Sequence, residues 1–230
     1  MKITWLGQAG LLFEINGKKI LVDPYLSNSV EKIQPQNYRR VPVDESFLKI
    51  TPDIIIVTHN HADHLDKETL CHYLNEQSKV TVLAPNGAWQ EVRKFGGLKN
   101  NYVLFNNGTV WTEDFASFRA VKAEHSDEFA IGVIINAEGK NYYITGDTLY
   151  NERVFDSLPK ADIEYLFLPV NGVGNNMNVI DARRFAKRVN AKYNVPIHIG
   201  MFDELKAENV VLERKISPII YKEISSLNSD

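Results

Sequence analysis

The sequence predicts a mixed α/β protein of the α+β type, with two β-sheets stacked face to face and helices on their outer faces. Strand-like apolar runs joined by tight turns fill the first 25 residues and recur after residue 100. Helical segments come in two groups, one after each group of strands, rather than one after every strand. That order is neither a βαβ alternation nor an all-β pattern, and stacked sheets covered by helices accommodate it. The 230 residues suffice for one core, so residues 1–230 are expected to form a single domain.

The elements follow in order. Leu11-Leu12-Phe13-Glu14-Ile15 and Lys19-Ile20-Leu21-Val22-Asp23 flank Asn16-Gly17. Asn-Gly between apolar runs points to a hairpin, because both central residues of a type I′ turn need positive φ. Asn107-Gly108, between Val103-Leu104-Phe105 and Thr109-Val110-Trp111, predicts a second hairpin. Glu138-Gly139, between Ile131-Gly132-Val133-Ile134-Ile135 and Tyr142-Tyr143-Ile144-Thr145, predicts a third. Residues 27–44 carry Pro35 and Pro42 among polar residues and read as a long loop of the kind that often carries function. Within it, Tyr38, Arg39 and Arg40 are expected to be solvated, with phosphate binding as the alternative. Asp66 is a suitable N-cap for a helix over 67–77, since its carboxylate can accept a free first-turn N–H. A second helix is expected over 87–95, capped by Asn86 and stopped by Gly96-Gly97. A third, over 180–194, carries Ala182, Phe185, Ala186 and Val189 on one face. A fourth is expected over 203–214. Cys71, inside the first helix, is expected to be a small core residue.

Composition bounds the function. A formal net charge of -3 gives no reason to expect nucleic acid as the main partner. One cysteine cannot build a disulfide framework, so nothing requires an oxidising compartment. The N-terminus, Met1-Lys2-Ile3-Thr4-Trp5-Leu6-Gly7, lacks the run and cleavage site of a signal peptide. No stretch approaches the ~20 apolar residues of a membrane helix. A soluble, cytoplasmic protein acting on a small molecule, without nucleic-acid or membrane partners, is the expectation.

The chemistry concentrates after Ile54-Ile55-Ile56-Val57, a short buried strand by composition. His59-Asn60-His61-Ala62-Asp63-His64 places three imidazoles and a carboxylate within six residues. In a helix His59 and His61 would stand roughly 200° apart; in extended chain they point the same way and can share an ion. Asp63 and His64 project differently and can hold a second ion nearby. Imidazole and carboxylate suit zinc, manganese or iron. Two ions need more ligands, and His125, Asp147 and His198 each follow a strand-like run. Gly146 permits a sharp turn before Asp147. Of six histidines only His72, in a predicted helix, is left over.

The hexapeptide resembles the HxHxDH signature of the metallo-β-lactamase superfamily, and His125, Asp147 in Thr145-Gly146-Asp147-Thr148, and His198 match the remaining ligands in order. Gly7-Gln8-Ala9-Gly10 and Val22-Asp23-Pro24 are also similar to that family. The resemblance implies a four-layer αββα sandwich. It implies that His59, His61 and His125 hold one metal, that Asp63, His64 and His198 hold the other, and that Asp147 bridges them. A metal-bridging hydroxide is then the expected nucleophile, with Asp63 and His61 as catalytic residues. Two ions at +4, two carboxylates and a hydroxide sum to about +1, which favours an anionic group or a developing oxyanion.

The ligands alone do not choose among esters, lactones, thioesters, amides and phosphodiesters. The cysteine ligand common in zinc β-lactamases is not at Asp147, no obvious basic arm like that of tRNA-processing nucleases is seen, and the about 30 residues after His198 are short for the extra helical domain of glyoxalase II-like thioesterases, so these branches are not expected. His61 stands where flavodiiron proteins usually carry an acid. The loop Leu168-Pro169-Val170-Asn171-Gly172-Val173-Gly174-Asn175-Asn176-Met177-Asn178 resembles the ascorbate-6-phosphate lactonase branch, which prefers manganese. That resemblance implies substrate contacts from Asn171, Gly172 and Asn176, although the chain is shorter than those lactonases. The expected activity is therefore hydrolysis of a small anionic metabolite such as a sugar-phosphate lactone or ester. A phosphodiesterase or nuclease on the same site, and a non-catalytic metal- or ligand-binding module, are the alternatives. Family analogues assemble, so a homo-oligomer is compatible with the sequence.

Overall fold

The computed structural model describes residues 1–201 and 204–224. The N-terminal half builds the first sheet. β1 (Lys2–Gly7), β2 (Gly10–Ile15) and β3 (Lys18–Val22) form an antiparallel meander. β4 (Ile54–Ile56), α1 (Lys67–Tyr73), β5 (Thr81–Ala84), α2 (Asn86–Val92) and β6 (Asn101–Leu104) follow, and the three strands add in parallel in chain order. The C-terminal half builds the second sheet. β7 (Val110–Thr112), β8 (Ser117–Lys122), β9 (Ile131–Ala137) and β10 (Lys140–Ile144) are antiparallel. After α3 (Glu152–Asp156), β11 (Tyr165–Pro169), α4 (Val179–Val189) and β12 (Tyr193–Ile197), the last two strands pair in parallel beyond β10.

Alternate side chains along each strand face opposite ways, and here both faces are covered. Phe13 of β2 points between the sheets, its ring 5.9 Å from Phe167 and 6.1 Å from Tyr142. It shares one core with Leu11, Phe118, Ile135 and Val195. Leu12, one residue earlier, faces outward with Leu21 and Ile55 and packs with Leu70 of α1 and Val92 of α2. On the far side Tyr143 meets Phe185 of α4 at 6.3 Å. The expected αββα layering is observed.

Two of the three expected hairpins form. Asn16 and Gly17 both have positive φ, as do Glu138 and Gly139. The third does not: β6 pairs with β5 in one sheet and β7 with β8 in the other. Asn107-Gly108 therefore lies on the crossover between sheets, and only Gly108 has positive φ. The turn chemistry was right, but each flanking strand finds its partner elsewhere.

Helix starts are closer to expectation than helix ends. Asp66 caps α1, accepting from the amides of Glu68 and Thr69, but the helix stops at Tyr73 rather than 77. α2 begins at Asn86 after Pro85, so Asn86 sits in the first turn instead of capping it. Asn178 caps α4, which ends at Val189 with Asn190 left-handed; the residues up to 194 turn into β12. The helix expected over 203–214 is replaced, among the described residues, by a single 3-10 turn at Ala207–Asn209, with Lys215 donating to the carbonyls of Ala207, Glu208 and Val210. Asp203 lies outside the described residues. Cys71 is exposed, not core, because α1 turns Thr69, Leu70 and Tyr73 inward. Among the described residues no helix is long and apolar enough to cross a membrane.

Residues 27–44 form a long connection without strand or helix, as expected. Arg39 in it is neither solvated nor a phosphate ligand. It is buried and donates to the carbonyls of Tyr25, Leu6 and Val41 and to the Tyr221 hydroxyl. Arg40 lies over the Tyr38 ring and pairs with Glu204. The C-terminal segment covers the open edge of β1, with Tyr221 N donating to Trp5 O at 2.7 Å and Ile224 N to Ile3 O at 2.7 Å.

Gly146 sets the turn that delivers Asp147. Its φ is +62, and a Cβ there would lie 2.5 Å from Ile131 O and 3.1 Å from Thr58 Cβ. Gly146→Ala is therefore expected to destabilise the protein by about 2–4 kcal/mol, through left-handed strain and backbone clash together. A urea titration of the variant checks this; an unchanged midpoint would refute the steric account.

Candidate metal centre

β8, β10, β11 and β12 run in the same direction, so the residues following them meet at one end of the sandwich. The residues after β4 arrive there from the first sheet. There Thr58 hands its carbonyl to Ile131 N at 3.0 Å, and the chain folds into a tight turn in which His64 N and Leu65 N both donate to His61 O. Asp127 accepts from Asn60 N at 3.1 Å and holds the turn from outside.

All seven expected ligands converge. Three groups have ligand atoms within 4.8 Å of one another: His59, His61 and His125; His59, His64 and Asp147; Asp63, His64 and His198. Asp147 stands between the outer two. Its Oδ2 is 3.0 Å from His198 Nε2, 3.8 Å from His125 Nε2 and 4.0 Å from His59 Nε2, and its Oδ1 is 3.3 Å from His64 Nε2. His59, His64, Asp63, Asp147 and His198 are buried, His61 is half-buried, and the His125 side chain is enclosed although its residue as a whole is half-buried.

The donor set fits divalent ions. His59 Nε2 is buried and has no hydrogen-bond partner, an arrangement that costs free energy unless something electron-poor faces it. Meanwhile its Nδ1 is 3.1 Å from the Thr58 hydroxyl. His61 Nδ1 and His125 Nε2 lie 3.1 Å apart, and His64 Nε2 and His198 Nε2 lie 3.3 Å apart. Ring nitrogens gathered in this way around carboxylates form cation sites.

Supporting groups fix most of the rings from behind. Asp23 accepts from Thr58 N at 2.8 Å and from the Thr58 hydroxyl at 2.6 Å, and its Oδ2 lies 2.8 Å from His64 Nδ1. Gln8 donates from Nε2 to Asp63 Oδ2 at 2.8 Å, and its carbonyl accepts from His198 N. Asn176 donates to Asp147 Oδ2 at 2.7 Å and accepts from Thr148 N at 3.0 Å. His125 Nδ1 is 3.2 Å from Asn175 O. Gln8, Asp23 and His198 all have positive φ, at 51°, 43° and 60°. Backbone strain of this kind persists where surrounding contacts over-determine it and clusters at functional sites.

The residues expected to contact substrate divide. Asn176 is buried and engaged with Asp147 and Thr148. Asn171 places Nδ2 3.0 Å from His198 Nδ1 and bridges to Asn178, which closes the loop. Gly172 donates to Met177 O within that closure. The loop is thus pinned: Met177 is fully buried and donates to Thr148 O. Beyond the ligands a cleft of about 470 Å³ opens, walled by the 30–37 connection on one side and by residues 173–176 on the other.

A family profile described as the beta-lactamase superfamily domain matches residues 2–198, a span that holds all seven expected ligands. The chain belongs to the metallo-β-lactamase superfamily. A metal-dependent hydrolase of Flavobacterium johnsoniae is 34% identical over 196 residues, covering 79% of this chain and 77% of its own. Another, of Staphylococcus epidermidis, is 30% identical over 218 residues, covering 88% and 87%. The crystal structure of a possible metal-dependent hydrolase of Veillonella parvula superposes with a TM-score of 0.79 at 16% identity, covering 97% and 98%, and shows the same fold. The superfamily hexapeptide is complete in this chain. Gln8 and Asp23 lie in the two N-terminal segments that resemble the superfamily, but their supporting roles emerge only from the structure.

Electrostatics set a proton balance that metal uptake must overturn. Burial pushes the Asp63 and Asp147 carboxyls up, yet the charges and hydrogen bonds of His64 and His198 outweigh it and hold both well below the carboxylate range. Burial likewise disfavours charged imidazoles, but Asp147 and Asp63 raise His64 well above its usual value, and they raise His198 to about 9. His59 and His125 go the other way, lowered first by burial. A raised histidine adds stability that is complete below the ordinary value of 6.5 and is lost as pH climbs through the folded value. The depressed carboxyls add stability above 3.8 that is lost as pH falls through their folded values. The metal-free protein is therefore expected to lose thermal stability between pH 6.5 and about 9. Ions replacing those protons should remove that loss, and their uptake at neutral pH should release protons. Thermal unfolding with and without chelator across this range, with calorimetry in two buffers of different ionisation heat, checks both statements.

Proposed function

We propose that this chain is a metal-dependent hydrolase with a dinuclear centre, acting on an ester or lactone bond of a small metabolite. The observation that carries this reading is the convergence of His59, His61 and His125 with Asp63, His64 and His198 on either side of Asp147, around a buried and unpartnered His59 Nε2. Zinc and manganese both suit these donors, and iron is compatible with them. When bound, two divalent ions would lower the pKa of water and polarise the group under attack.

The chain's own residues do the rest. His59, His61 and His125 would hold one ion, and Asp63, His64 and His198 the other. Asp63 lies at the cleft wall, held by Gln8, where it can orient a water and accept its proton. Asn176 fixes the Asp147 carboxylate. His61 lines the cleft together with Asp63, Asp147 and His198, so it too can lie beside the bond being cut.

The expected charge near +1 is lower once Asp23 is counted. This third buried carboxylate, in contact with His64, brings the sum close to zero. The developing oxyanion at the reacting carbonyl remains the group best served by such a centre. A phosphodiesterase acting on nucleic acid has less support, since strand-binding grooves are lined with Lys and Arg and, among the described residues, this cleft is lined by neither.

The test is direct. Protein loaded with manganese or zinc is expected to bind two ions per chain by elemental analysis and to hydrolyse simple lactones or esters. Chelation should abolish turnover, and the same ions should restore it. Activity that persisted in chelated protein would refute the reading.

A further inference from the structure

The cleft carries information about what sits beside the bond being cut. Among the described residues that line it there is no lysine or arginine, while two carboxylates, Asp63 and Asp147, do line it. The basic residues of the neighbouring connection are committed elsewhere, Lys32 to Glu68, Arg39 to Leu6, Tyr25, Val41 and Tyr221, and Arg40 to Glu204 and the Tyr38 ring. Apart from the imidazoles of His61 and His198, the Ser126 hydroxyl and the already engaged Asn176, the lining side chains are of two kinds. Gln34, Asn37 and Asn175 offer neutral amides. Val30, Ile33, Ala62 and Val173 offer an apolar surface. Val30 and Ala62 belong to one apolar cluster with Tyr25 and Met201. Ile33 and Val173, from two separate connections that line the cleft, are 71% and 46% exposed, so two large apolar side chains of its lining face solvent.

A phosphate or second carboxylate lodged there would lose water without gaining a charged donor, and a buried charge is costly unless it is paired. An uncharged, partly apolar body would instead cover Ile33 and Val173 and meet amides that hydrogen-bond without demanding charge. We propose that the cleft selects an uncharged, partly apolar ester or lactone and discriminates against phosphorylated metabolites. This inference rests on the hydrolase reading above and narrows its substrate class, away from the sugar-phosphate that the loop at 168–178 brings to mind.

The experiment compares three probes on metal-loaded protein: a medium-chain alkyl lactone, a sugar lactone and the phosphate monoester of that sugar lactone. The alkyl lactone is expected to exceed the phosphorylated one in kcat/KM by about tenfold or more, the scale of an unpaired charged group. Ile33→Arg, at a site too exposed to threaten folding, should narrow or reverse that ratio by supplying the missing cation. Preference of the intact protein for the phosphorylated lactone, or an Ile33→Arg variant with an unchanged ratio, would overturn the proposal. Turnover of none of the three would sink the hydrolase reading itself. Selectivity would then be read from binding: protection against thermal unfolding by the uncharged lactones alone supports the inference, and protection by the phosphorylated one alone overturns it.

Discussion

Asp147→Asn is expected to reduce bound metal below two ions per chain and to lower kcat/KM by more than the about 10²–10³-fold that losing one transition-state donor typically costs. Asp147 has contacts reaching both groups, from 3.0 Å at His198 to 4.0 Å at His59. Asparagine keeps the shape but loses the charge that draws the imidazoles together. Its amide would also present hydrogens to Asn176, whose own NH2 now donates to Oδ2 at 2.7 Å. His61→Ala makes the useful comparison. It should also abolish turnover, but His61 is half-buried and at the solvent side, so the fold should tolerate its loss. Elemental analysis and steady-state kinetics on both variants check the pair. Full activity in Asp147→Asn would remove the bridging role.

The second large effect falls on a residue that is not an expected ligand. Asp23→Ala is expected to destabilise the protein by about 3–5 kcal/mol, the scale for removing one partner of a buried charged pair. It leaves Thr58 N, the Thr58 hydroxyl and His64 Nδ1 without their acceptor. Asp23→Asn should separate stability from metal binding. Asparagine tolerates the positive φ at this position, so it adds no backbone strain. It restores part of the hydrogen bonding but not the charge behind His64. Metal affinity should still fall by about 10–100-fold, as for other groups that orient a ligand from behind. Urea denaturation reads the first effect and competitive chelator titration the second. A destabilised Ala variant alongside an Asn variant of unchanged affinity would make Asp23 purely structural.

The convergence of the expected ligands was legible because their signal is local. Three imidazoles and a carboxylate in six residues have few uses other than a metal, and His125, Asp147 and His198 each end a recognisable apolar run. The supporting residues carry no local signal. Asp23 meets His64 across 41 positions and Gln8 meets Asp63 across 55, so only the folded chain joins them. The same division runs through the fold. Asp66 and the turns at Asn16-Gly17 and Glu138-Gly139 were readable because neighbouring backbone groups decide them. Asn107-Gly108 misled because a turn motif fixes where the chain bends, not which sheet each flanking strand joins. Cys71 misled because helix phase depends on which face meets the sheet. Arg39 looked like a surface cation, yet its guanidinium ties carbonyls and a hydroxyl from several distant segments together.

Each sheet comes from one half of the chain, and the centre draws on both halves. Gln8, Asp23 and the hexapeptide belong to the first half; His125, Asp147 and His198 belong to the second. Neither half alone holds a complete ligand set. Any ion lodged between them is a rivet across the seam of the sandwich, joining pieces far apart in sequence and adding to the packing and the hydrogen bonds, such as Ile131 N to Thr58 O and His198 N to Gln8 O, that already cross it. Such a rivet can close only after both sheets have formed and docked, so a loaded centre certifies a finished molecule.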